Sequence, residues 1–234
     1  MSTEMGTGWG PVSGGGAIPA QPPPWGTKLP WAWDTEPGPE YAVLMQRLRA
    51  FLDHLAAAHP TPAESEQLAA TLHEWGEKLS AARIPEHRQV FGRRPDLPSR
   101  GQTMLPEYVV HELTDETVAA RVVFGRYYLG GGEAVHGGAI PLVFDEVLGA
   151  LANHGERLPS RTAYLTVNFR AVTPLEKQLT VTGRVEQVDG RKAYLVGELR
   201  DGEVLCADAE ALFIAVRRPD VPLASRLGPS ATPH

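Results

Sequence analysis

Apolar residues recur every three to four positions between 40 and 58, at Tyr41, Leu44, Leu48, Phe51, Leu52 and Leu55. That spacing predicts a helix with one apolar face. Pro39 suits its first turn, and Pro60 lies just past its end. A second helix is predicted from Thr61, as N-cap of a capping box closed by Glu64, with Pro62 at the first helical position. Leu68, Leu72, Trp75 and Leu79 form its face, and it should stop before Pro85. Such a helical hairpin, spanning 40–84, is too small to stand alone and needs a partner surface.

After a loop from Gly92 to Pro106, rich in proline and glycine, the period shortens. Tyr108–Leu113 and Thr117–Phe124 are β-rich and read as a hairpin. A glycine loop at 130–132 leads to residues 137–153, which are apolar on nearly every side and predict a buried helix, with Gly155 to close it. Four more strands are predicted at Thr162–Arg170, Gln178–Val188, Arg191–Arg200 and Glu203–Val216. The pairs Asp189-Gly190 and Asp201-Gly202 serve as two-residue hairpin turns, so the last three strands form a meander. The economical arrangement is α+β: an antiparallel sheet wrapped around one long central helix, with the helical hairpin as an N-terminal extension.

Composition separates the ends from this body. Residues 1–39 hold eight glycines and eight prolines, which predicts a largely flexible leader, with 1–20 dispensable. Trp9, Trp25, Trp31 and Trp33, four of the five tryptophans, lie there. Its second half has two readings, a disordered segment or one that docks on the body through Trp25, Trp31 and Trp33. Residues 218–234 read as a flexible tail. The formal charge of −6, without a basic stripe, argues against nucleic-acid binding. No apolar run approaches the roughly 18 residues of a spanning helix. The N-terminus lacks the pattern of a signal peptide. A single cysteine, Cys206, excludes an internal disulfide framework and reads as a small core residue. These features predict a cytoplasmic protein that handles a small molecule and makes no membrane contact.

The chemistry concentrates in one stretch, from His136-Gly137-Gly138 to Asp145-Glu146. Two glycines opening a helix leave backbone N–H groups accessible, at the positive end of the helix dipole, where a carbonyl turning into an oxyanion would be stabilised. A tight, closely packed turn explains the same glycines. Asp145 and Glu146 are the only formal charges between His136 and His154. Neighbouring helical positions point about 100° apart, so at most one should reach solvent. Either one carboxylate is functional, or one faces water while the other meets an arginine. Asp145 lies seven residues past Gly138, about 10 Å along a helix. A base and an oxyanion donor must converge on one reacting group, so two antiparallel copies of the helix are needed, which predicts a homodimer with composite sites.

The stretch Val135-His136-Gly137-Gly138-Ala139-Ile140, with Phe144-Asp145-Glu146-Val147-Leu148-Gly149, resembles the hotdog-fold acyl-CoA thioesterases of the PaaI-like, 4-hydroxybenzoyl-CoA thioesterase superfamily. Thr162–Arg170 and the Asp189-Gly190-Arg191-Lys192 hairpin fit as well, so the likeness covers about 105–217. The resemblance implies a hotdog domain that dimerises edge to edge, as a homodimer or dimer of dimers, and hydrolyses an acyl-CoA. It implies Asp145 as general base or nucleophile, Gly138 with Gly137 beside it as the oxyanion amide, His136 orienting the loop or substrate, and Thr162 near the attacking water. It implies no metal and no cofactor, CoA being part of the substrate. Arg191 and Lys192 are candidates to hold CoA phosphates, or simply a solvated hairpin end. The alternatives are a non-catalytic acyl-CoA-binding or regulatory hotdog protein, and a hotdog dehydratase or hydratase.

Overall fold

The computed structural model describes residues 38–216 of the 234. The leader, up to residue 37, and the tail, from 217, lie outside the described residues.

Helix α1 (Pro39–Ala57) and helix α2 (Pro62–Ala81) form the N-terminal extension. The α2 start carries the complete capping box: Glu64 N–H donates to the Thr61 hydroxyl, and the Glu64 carboxylate accepts from Thr61 N–H at 2.8 Å. The predicted partner surface exists for α1 alone. The inner face of α1 sits against residues 125–128, where the Asp53 carboxylate accepts from Tyr127 N–H at 2.9 Å. In α2 only Leu68 is half-buried; Leu72, Trp75 and Leu79 are exposed.

Six strands make the main sheet, in spatial order β1 (Glu107–Leu113), β2 (Thr117–Val123), β6 (Gln178–Asp189), β7 (Lys192–Asp201), β8 (Val204–Ala215) and β5 (Ser160–Phe169), all neighbours antiparallel. Two short strands, β3 (Leu129–Gly131) and β4 (Ala134–Val135), pair around the glycine turn. The two tight hairpins close one residue later than predicted. Asp189 pairs with Lys192 and Asp201 with Val204, so the loops are Gly190-Arg191 and Gly202-Glu203. Only the glycine of each loop has positive φ, the pattern that puts glycine first in a type II′ turn.

Helix α3 (Ala139–Ala152) crosses the concave face, burying Ile140, Val143, Phe144, Val147, Leu148 and Leu151. Pro141 falls in its first turn, where a missing N–H costs no helical bond. Asn153 is the C-cap, so Gly155, with φ 68°, follows the helix end by two residues rather than closing it. The helix lies close because the sheet beneath it is shallow. Gly183 and Gly197 are direct cross-strand partners, and a Cβ at Gly183 would sit 2.6 Å from Leu148 Cδ2, one at Gly197 3.1 Å from Phe144. Cys206 is fully buried in β8, as expected of a core residue.

Candidate active site

The turn into α3 is exposed at His136, Gly137 and Gly138. It is held from behind by backbone bonds, His136 N–H to Tyr128 O at 2.7 Å and Val135 N–H to Thr173 O at 2.9 Å. Arg126 adds ion pairs to Glu133 at 2.7 Å and Glu176 at 3.1 Å. The amide expected to face substrate, that of Gly138, has another partner: it donates to His136 Nδ1 at 3.0 Å. A ring nitrogen that accepts puts the imidazole proton on Nε2. His136 thus occupies one of the two candidate amides and ties the turn to its own ring. Gly137 N–H makes no hydrogen bond among the described residues. Beside it lies the exposed Phe169 ring, 3.5 Å from where a Gly137 Cβ would stand.

Asp145 and Glu146 part company as the 100° offset requires. Asp145 is exposed and accepts a 2.7 Å hydrogen bond from the Thr162 hydroxyl on β5. Glu146 turns inward, where Arg100 Nη2 pairs with it at 2.7 Å and the buried Tyr108 hydroxyl donates to it at 3.0 Å. Burial raises the Glu146 carboxyl above the usual range, and the Arg100 charge works against that rise. Burial, and then the nearby Glu146 charge, push the Tyr108 phenol well above its usual value. So one carboxylate meets solvent and the other meets an arginine, the second of the two arrangements the sequence left open.

Nothing in the sequence pattern singled out Arg100 or Tyr108. Arg100 sits in an unusual turn: Ser99, Arg100 and Gly101 all have left-handed φ, at 50°, 56° and 67°. Left-handed helix costs a side-chain-bearing residue about 1–2 kcal/mol. Its neighbours hold it, the buried Ser99 hydroxyl donating to Pro106 O at 2.7 Å and accepting from Tyr108 N–H at 3.1 Å.

Of the other expected residues, Arg191 turns back to donate to Ala215 O at 3.0 Å, and Lys192 is exposed at the start of β7. Register adds Arg161, which the sequence reading missed. Arg161 on β5 and Lys192 on β7 both pair with Ile214 of β8, and so share one face of the sheet. Among the described residues no cluster of three or more His, Cys, Asp or Glu side chains could hold a metal ion. No described helix is long and apolar enough to cross a membrane.

The strand carrying Thr162, β5, is one of the two edge strands of the sheet and pairs only with β8 among the described residues. From Thr162 to Phe169 it bears no charge and no proline, and Tyr164 and Phe169 are exposed. Edges left so unprotected are templates for pairing with another chain.

Residues 132–207 match the family model described as the thioesterase superfamily. Acyl-coenzyme A thioesterase THEM4 of Bos taurus is 31% identical over 111 residues, 46% of this chain and 45% of that protein. THEM4 of Xenopus laevis is 34% identical over 94 residues, 38% of this chain and 41% of that protein. This chain thus spans less than half the length of these curated relatives. A crystal structure of a thioesterase superfamily protein superposes with a TM-score of 0.66 at 26% identity, covering 78% of this chain and 94% of that one. With the antiparallel sheet wrapped on α3 and the His136-Gly137-Gly138 turn inside the matched segment, residues 132–207 are similar to the thioesterase superfamily and lie on a hotdog fold.

Proposed function

We propose that the protein is an acyl-CoA thioesterase that works as a homodimer, with each active site shared between two chains. One observation carries this reading: the two halves of the chemistry sit at opposite ends of the same edge strand. Thr162, bonded to Asp145, begins β5, and Phe169, packed beside Gly137, ends it. Seven residues of strand separate them by about 23 Å. Along α3 the eight residues from Gly137 to Asp145 span about 12 Å. No single chain closes that gap. Thr162 and Phe169 share a face because a bulge at Ala163 shifts the register of β5. Two-fold antiparallel pairing of β5 strands, centred on Thr166, then lays the Phe169 end of one chain beside the Thr162 end of the other at the strand spacing of about 5 Å. Both ends face α3, so the Gly137 turn of each chain meets the Asp145 carboxylate of its partner.

In this site the thioester carbonyl oxygen accepts from Gly137 N–H at the positive end of α3. Gly138 supports the turn through His136 and adds a second donor only if that bond opens. Asp145, aligned by Thr162, takes a proton from water as the water oxygen bonds to the carbonyl carbon. The tetrahedral oxyanion collapses, the carbon–sulfur bond breaks, and the proton held by Asp145 passes to the departing CoA sulfur, leaving the free acid, CoA thiol and the Asp145 carboxylate restored. Lys192, Arg191 and Arg161 supply positive charge for the CoA phosphates. The test is thiol release from a panel of acyl-CoAs of varied chain length and ring content. Saturable release sustains the reading. Tight CoA binding with no release from any member would replace it with a non-catalytic acyl-CoA-binding protein.

A further inference from the structure

Asp145 reaches Thr162 only if α3 is held at one angle about its own axis. Apolar packing is strong but not directional. Side chains project to about 6 Å from a helix axis. A rotation of about 10° would therefore swing the Asp145 carboxylate by roughly 1 Å, and a displacement of that size costs on the order of a hundredfold in rate. The directional contacts at this level of α3 are those of the next residue, Glu146, pinned by Arg100 on one oxygen and by Tyr108 on the other.

Arg100 is itself fixed from outside the hotdog. The Tyr41 hydroxyl of α1 donates to Gly101 O at 3.0 Å, and Arg49 of α1 donates to Gln102 O at 2.6 Å and Leu105 O at 2.8 Å. Arg94 N–H donates to Arg100 O at 3.0 Å. The Arg100 Nε is buried without a hydrogen-bond partner. A left-handed turn around a half-buried arginine, with one of its own donors unsatisfied, is retained at a cost in stability. Strain of this kind is found where geometry serves function.

We propose that Arg100 is a positioning residue for Asp145: braced by α1, it clamps Glu146 and so fixes the rotation of α3 that presents the catalytic carboxylate. This rests on the thioesterase reading above, and gives the helical extension a role in the chemistry.

The experiment replaces the clamp with apolar residues of similar size, R100M/E146L, since exchanging a buried ion pair this way is often neutral for stability. The double variant leaves the buried Tyr108 hydroxyl without its acceptor, so it should melt below wild type yet stay folded; KM should stay within about twofold, while kcat falls on the order of tenfold to a hundredfold. R100K, which restores the charge without the planar fork, should recover part of the R100M loss. In a D145N background the double substitution should cost nothing further, because the clamp acts through Asp145. Wild-type kcat in a folded R100M/E146L overturns the proposal, as does an equal loss with and without Asp145. If the double variant does not fold, E146Q serves: lowered kcat at unchanged KM supports the clamp, and unchanged kcat overturns it. Should the wild-type chain release no thiol, or D145N turn over normally, the thioesterase reading itself fails. The clamp is then read from the carboxyl carbon-13 signal of Asp145, assigned by its loss in D145N. That signal should move in R100M/E146L or E146Q, and an unmoved signal overturns the proposal.

Discussion

The Thr162 hydroxyl donates to the Asp145 carboxylate across 2.7 Å, joining the central helix to an edge strand of the sheet. If Asp145 is the base, Asp145→Asn keeps the fold but loses on the order of 10²–10⁴ in turnover. Thr162→Val removes only the alignment. A hydrogen bond to a charged group contributes about 1.5–3 kcal/mol, and an exposed one less, so on the order of tenfold is expected. Initial rates of thiol release check both, and wild-type turnover in the Asn variant removes Asp145 from the mechanism.

Glu146 gives a stability prediction with a definite sign. Its folded-state pKa lies above the ordinary value of 4.5, chiefly through burial, with Asp145 adding to the rise and Arg100 and Tyr108 opposing it. Between those two values the native state binds more protons than the unfolded chain, so stability falls with rising pH. The contribution is fully present below about pH 4.5 and is lost as pH climbs through the folded-state value. Glu146→Gln abolishes this titration. Thermal melts from about pH 4 to about pH 7 should show the variant gaining on wild type as pH rises. A constant difference across that range would mean that Glu146 titrates alike folded and unfolded.

Much of this was legible in the chain, for identifiable reasons. The capping box at Thr61 and Glu64 is local chemistry and formed as read. The strands followed their alternation, and the helix that was apolar nearly all round became the buried α3. What escaped depends on distant residues. Arg100 looked like part of a proline-rich loop, and nothing nearby shows that it meets Glu146, 46 positions on. The Gly138 amide looked free because a sequence does not record that His136, two residues back, folds over to accept it. The hairpin turns were displaced by one residue because Asp-Gly fits several turn types and register decides among them. The apolar stripe of α2 was read correctly, yet no surface among the described residues covers Leu72, Trp75 or Leu79.

The shallow seat of α3 sets a packing limit that the glycines of β6 and β7 satisfy. Gly183 has no positive φ, so alanine is allowed by its backbone. Its Cβ, however, would approach Leu148 to 2.6 Å and the Val118 Cγ1 to 2.9 Å. Gly183→Ala should therefore destabilise the fold by about 1–3 kcal/mol, the usual cost of overpacking. Gly149→Ala is the comparison, since its Cβ would meet only Phe213, at 3.7 Å. Denaturant titrations of the two should separate them, and equal midpoints would mean that α3 is free to lift from the sheet.

The shared site predicts complementation between two inactive chains. Asp145→Asn removes the base. Gly137→Pro removes the amide that has no partner among the described residues, since proline carries no N–H. Each homodimer should be inactive. In a mixed dimer one site pairs the intact Gly137 of the first chain with the intact Asp145 of the second, and the other site carries both lesions. Random pairing after joint refolding makes about half the dimers mixed, each with one good site of two, so roughly a quarter of wild-type activity should return. The dimer contact is tested separately by Thr166→Lys. Its side chain lies near the proposed two-fold axis and faces away from α3, so like charges would oppose each other across the axis while each monomer's core is untouched. That variant should sediment as a monomer and lose turnover. A monomeric Thr166→Lys that keeps full activity, or verified mixed dimers with none, would show that Gly137 and Asp145 do not meet across β5. The oxyanion donor or the base would then have to be sought within a single chain.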